Sequence, residues 1–160
     1  MSRYDRRTDA IAAVTVLLAL LLTLLKLPDT LAVTRPALVL LVLAYWTQAA
    51  PSRFGMFIAW GMGLVLDVAT AGVLGQHALA MVVSIYVLMR MRGVLRMAPM
   101  WQQCLLLLLV VVLYEFVLFW MDGVAGRSAD PWYRWVPVLT TPLFWPLFHL
   151  LVLNLQGRQR

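Results

Sequence analysis

Long apolar runs separated by short polar stretches make up the chain from about residue 10 onward, with almost no polar position inside a run to face water. The pattern predicts six membrane-spanning helices, at about 10–27, 36–50, 54–71, 77–90, 101–121 and 135–155. The second and fourth are short against the about 20 residues that cross a bilayer, but each can borrow from its flanks. The expected fold is an all-α integral membrane protein, one transmembrane domain over residues 1–160.

Composition strengthens this reading. The chain is 63% hydrophobic and only 12% charged, against about 25% charged for a soluble domain. Its net charge of +6 does not point to nucleic acid, because the arginines are scattered between apolar runs and form no basic face. They report topology instead. With six spans, Arg3, Arg6, Arg7, Arg53, Arg90, Arg92, Arg96, Arg158 and Arg160 fall on one side, and Lys26, Arg35, Arg127 and Arg134 on the other. The richer side is expected to be cytoplasmic, which puts both termini there. Trp46, Trp101, Trp120, Trp132 and Trp135 are expected near span ends, where amphipathic rings prefer to sit.

The basic start followed by an apolar run is not read as a cleavable signal peptide. LLKLPDT (24–30) offers no small-residue cleavage pattern and leads straight to another span. Cys104, the one cysteine, allows no internal disulfide. The longest loop, DGVAGRSADPWYR (122–134), is too short to fold a domain, so function is expected within the bilayer or at its surfaces.

Two carboxylates interrupt the apolar runs, Asp67 in GLVLDVATAGVLG and Glu115 in VLYEFVLFW. Asp67 lies roughly 20 Å along its helix at 1.5 Å per residue, and Glu115 a similar distance along a helix running the same way. Each would cost about 2.5–3.5 kcal/mol at the centre of an isolated span, so both are expected to face the bundle, paired or protonated. Lys26, Arg35 and His77 are the candidate partners, making an outer polar layer with Asp67 and Glu115. Such a layer can orient helices, or it can hold a substrate, an ion or a proton path. Gly55, Ala59, Gly63 and Ala71 share steps of four with Asp67 and predict a face on which a neighbouring helix packs closely. Pro137, Pro142 and Pro146 predict a kink in the last span, and His149 reads as a hydrogen-bonded helix residue. RMRGVLRMAPM (90–100) is expected to be a cytoplasmic basic loop, with Arg90, Arg92 and Arg96 facing anionic headgroups or a docked protein.

Catalytic constellations do not assemble. In the intramembrane aspartyl proteases an Asp directly follows Gly-x-Gly, whereas Gly61-Met62-Gly63 is followed by Leu64. Lipoprotein signal peptidase has an Asn three positions before its first catalytic Asp, a place held here by Leu64. No nucleophilic serine motif or zinc motif is present, so no catalytic residue, metal or cofactor is expected.

Three stretches carry a resemblance. LPDTLAVTRPALVLLVLAYW (27–46), GLVLDVATAGVLGQHALAM (63–81) and WQQ followed by an acidic residue and FW (101–120) are similar in order and spacing to the MreD family of rod shape-determining proteins. Glu115 stands where the family carries an acidic residue, often Asp. The resemblance implies a non-enzymatic, multi-pass scaffold of the bacterial inner membrane in the cell-elongation machinery. Its implied partners are MreC, a single-span protein with a periplasmic domain, and RodA with its class B transpeptidase, linking wall synthesis to the MreB cytoskeleton. It also implies a fold similar to the six-helix substrate-binding subunits of energy-coupling-factor transporters. That similarity supplies an alternative, a small-molecule-binding transporter subunit, although fold alone does not carry function.

Overall fold

The computed structural model describes residues 3–25, 34–127 and 132–157. Among them are six α-helices and a short 3-10 helix: α1 (Arg3–Leu24), α2 (Leu38–Ala49), α3 (Met56–Ala69), α4 (Gln76–Met97), α5 (Met100–Val124), η1 (Trp132–Trp135) and α6 (Val136–Gly157). Lys26 lies outside the described residues.

Local chemistry sets the breaks. α2 begins just past Pro36, whose carbonyl accepts the Leu38 N–H at 2.8 Å. α3 and α4 are joined by a turn in which Ala71 and Gly75 take left-handed backbone conformations, with φ of 51° and 94°. Pro99 separates α4 from α5 and stands as the N-cap of α5, since the residue before a proline is driven out of helical geometry.

The helices α4, α5 and Val136–Leu155 of α6 are long and apolar enough to cross a membrane. The apolar parts of α1 (Thr8–Leu24), α2 and α3 are shorter. Large apolar side chains such as Phe57, Trp60, Leu109, Phe116, Leu143 and Leu147 point outward. An exposed apolar surface of this extent suits lipid rather than water.

The interior is organised around α2 and α4. α2 packs against α1, α4 and α6, while α4 packs against α2, α3 and α5. Every residue of α2 from Val39 to Thr47 is buried, as expected of a helix that is apolar all round. Lipid is as apolar as leucine, so van der Waals fit and a few polar contacts hold such a helix in place. Trp46 Nε1 donates to Thr15 Oγ1 of α1 at 2.9 Å, and the Ala37 N–H donates to Thr141 Oγ1 of α6 at 2.9 Å. α5 turns one stripe inward, Leu107, Val110, Val111, Tyr114, Glu115, Leu118 and Asp122, at helical spacing. An ion pair between Arg53 and Asp9 ties the turn after α2 to the start of α1.

Several sequence expectations change. Trp46 lies in the last turn of α2, as expected, but is completely buried in the core, where α1 supplies its indole with an acceptor. Arg90, Arg92 and Arg96 are not in a loop but on the closing turns of α4. Charge ends an apolar run without ending a helix, and α4 continues until the approach to Pro99. His149 Nδ1 is buried with no hydrogen-bond partner among the described residues, and its ring instead packs against Tyr45 and Trp145. Pro137 falls in the first turn of α6, where its missing N–H is not needed, leaving Pro142 and Pro146 inside the helix.

Candidate functional site

The α3–α4 turn, the last turns of α5 and η1 meet at one end of the bundle, and ionisable side chains gather there. Asp67, in the last turn of α3, is 1% exposed. Its Oδ2 accepts the backbone N–H of Gly75 at 2.8 Å and of Ala78 at 3.4 Å. Its Oδ1 accepts the His77 N–H at 2.8 Å and lies 2.9 Å from His77 Nδ1. In the tautomer that carries its proton on Nδ1, the His77 ring donates to this oxygen. The first N–H groups of a helix have no partner within it and carry partial positive charge. Asp67 therefore caps α4 from the preceding helix, a role no side chain at the N-cap itself performs, since Gly75 occupies it.

The close approach that permits this capping is built at Gly63. A Cβ there would collide with the backbone of His77 and Ala78. Gly63 and Ala59 are buried on the same face as Leu66 and Asp67, so part of the small-residue stripe packs within this chain. Gly55 has open space where a Cβ would stand, and Ala71 lies beyond the helix in the exposed turn.

Glu115 and Asp122, two turns apart on α5, share a partner from η1. Arg134 Nη1 lies 2.6 Å from Asp122 Oδ2, and its Nε lies 3.8 Å from Glu115 Oε2. Gln76, the first residue of α4, donates from Nε2 to Asp122 Oδ1 at 2.9 Å and to the Leu118 carbonyl at 3.4 Å. Arg127 Nη1 stands 3.9 Å from Asp122 Oδ1. Arg134 thus pins η1 to α5, and Gln76 pins α4 to the same carboxylate.

Between these groups lies a cavity of about 590 Å³, with Gln76, His77, Asp122, Arg127 and Arg134 in its walls. Of the polar residues singled out in the sequence, His77 lines it, with Asp67 behind His77 and Glu115 behind Arg134. Arg35 instead donates to the Thr23 and Leu25 carbonyls at the end of α1, a C-terminal cap. Gln76, Asp122 and Arg134 were not anticipated. Asp122 had a legible signal, since it follows Glu115 by seven residues and so shares its helix face. Nothing in the local pattern places Arg134.

Over residues 8–154 the sequence matches the family described as rod shape-determining protein MreD. The chain belongs to the MreD family. It is 27% identical over 141 residues to the rod shape-determining protein MreD of Haemophilus influenzae, covering 88% of this chain and 87% of that protein. No solved structure matches. Membership makes this a membrane protein of a shape-determining family, and the apolar outer surface of α4, α5 and α6 agrees with it.

Proposed function

We propose that this chain is a non-enzymatic scaffold of the cell-elongation machinery in the bacterial inner membrane. It binds MreC and through it helps to position RodA and its class B transpeptidase, in register with MreB, to maintain rod shape. The observation that carries this reading is the family match over residues 8–154. In the proposed topology the six α-helices each cross or enter the bilayer, both termini are cytoplasmic, and the cavity opens outward. The greater number of arginines on the proposed cytoplasmic side supports that orientation. Because Gly63 is occupied by α4, the transmembrane segment of MreC is expected on an outward apolar face, with the polar end of the bundle meeting its juxtamembrane region.

A second reading, a small-molecule-binding subunit of a membrane transporter, is favoured by the cavity beside Gln76 and Arg127. Affinity purification of the tagged protein from native membranes in mild detergent, with mass spectrometry of retained proteins and metabolites, separates the two. Retention of an MreC-type single-span protein supports the scaffold. An ATPase module in its place supports the transporter subunit.

A further inference from the structure

Among the described residues four buried side-chain polar atoms lack a hydrogen-bond partner, and one of them belongs to a permanently charged group, Arg92 Nε of α4. Arg92 follows Leu88 by four residues and precedes Leu95 by three, and both leucines are buried, so Arg92 stands on the inward stripe of the helix. Its Nε is closed off by the protein. Its two terminal nitrogens are neither occluded nor bonded to any described residue, so the forked end of the guanidinium stays open to a bound group.

Arg96, one turn further on, is exposed and reaches the Gln48 carbonyl in the last turn of α2 at 3.5 Å. Residues four apart differ by about 40° around a helix, so Arg92 and Arg96 form one cationic rim where the closing turns of α4 meet those of α2. Neither has an ion pair with a carboxylate among the described residues. Asp9 is taken by Arg53, and Asp67, Glu115 and Asp122 gather at the Gln76 end of α4. That end is about 24 Å from Arg92 at 1.5 Å per residue, too far for any of them to pair with it.

A cation held by a buried neck and left without a counter-charge favours an anion, and the guanidinium fork matches the oxygens of a phosphate. The surroundings narrow the choice. Met97 and Trp101, which follow Arg96 in the chain, are 92% and 66% exposed. Apolar surface beside a cationic rim suits an anion that carries apolar tails better than free phosphate or an acidic peptide.

We propose that the junction of α4 and α2 binds the headgroup of an anionic phospholipid, with Arg92 and Arg96 on the phosphodiester oxygens and the acyl chains along the outer apolar surface. The site needs only a bilayer around the helices, and is independent of the scaffold reading and of which side is cytoplasmic.

The test uses the full chain in nanodiscs of equal phosphatidylglycerol and phosphatidylcholine with matched acyl chains, and reads the lipid retained by native mass spectrometry. Phosphatidylglycerol is expected to be retained about ten-fold over phosphatidylcholine, and Arg92→Gln and Arg96→Gln each to remove most of that preference, the value of one charge-assisted hydrogen bond. Arg90→Gln removes the same charge from an exposed position about 200° around the helix from Arg92, and is expected to change the preference by about two-fold at most. Should Arg92→Gln not fold, Arg96→Gln against Arg90→Gln decides. Equal retention of the two lipids overturns the proposal. So does a loss in Arg90→Gln as large as in the other variants, which would mean diffuse attraction without a site.

Discussion

A carboxylate in an apolar helix is tolerated when its environment supplies what water would have supplied. Asp67 receives three backbone N–H groups and an imidazole, so replacing it leaves several buried donors unpaired. Asp67→Ala is expected to cost about 2–4 kcal/mol, and Asp67→Asn, which keeps one acceptor oxygen, about half of that, read from unfolding in detergent. Arg134 presents the converse case, one cation serving two carboxylates. Arg134→Gln is expected to cost about 2–4 kcal/mol, part of it recovered when Asp122→Asn is added. A double-mutant cycle measures that coupling, and strictly additive losses would sink the pairing. The sequence makes Asp67 legible as a buried group, since it stands alone among apolar and small residues. Its partners are harder to see, because a backbone N–H has no side-chain signature.

Between elements, the closest packing is that of α3 on α4, and one glycine permits it. Gly63→Ala is expected to destabilise by about 2 kcal/mol or more, because the obstructing atoms are backbone and cannot rotate away. Gly61, two residues earlier on the same helix, has open space at its Cβ. Gly61→Ala is therefore expected to be neutral or to stabilise by up to about 1 kcal/mol through helix propensity. Measuring the two variants side by side separates packing from propensity, and similar losses in both would refute the contact. The face that carries Gly63 was readable from its spacing of four. Its extent was not, because a repeat of small residues continues past the point where the backbone leaves the helix, and Ala71 lies beyond that point. Apolar runs likewise located the helices but not their ends. The closing turns of α4 carry arginines, so hydropathy stops before hydrogen bonding does.

For the molecule as a whole, the proposed topology makes an accessibility prediction. In a Cys104→Ala background, Arg127→Cys is expected to react with a membrane-impermeant thiol reagent from outside the cell, and Arg96→Cys only after permeabilisation. The reverse pattern would invert the orientation. The polar end of the bundle was only partly legible because its connections are long-range. Arg134 reaches Asp122 and Glu115 from a part of the sequence that no periodicity links to them, and Trp46 turns into the core because a threonine of another helix binds it. These differences in range have a consequence for biogenesis. Every group that satisfies Asp67 among the described residues lies within 11 positions of it along the chain. In the proposed topology the hairpin of α3 and α4 would thus carry its own counter-groups with it on insertion, as a pair. Asp122 is met in part by Gln76 of the preceding helix, whereas the cation beside Glu115, Arg134, is synthesised 19 residues behind it.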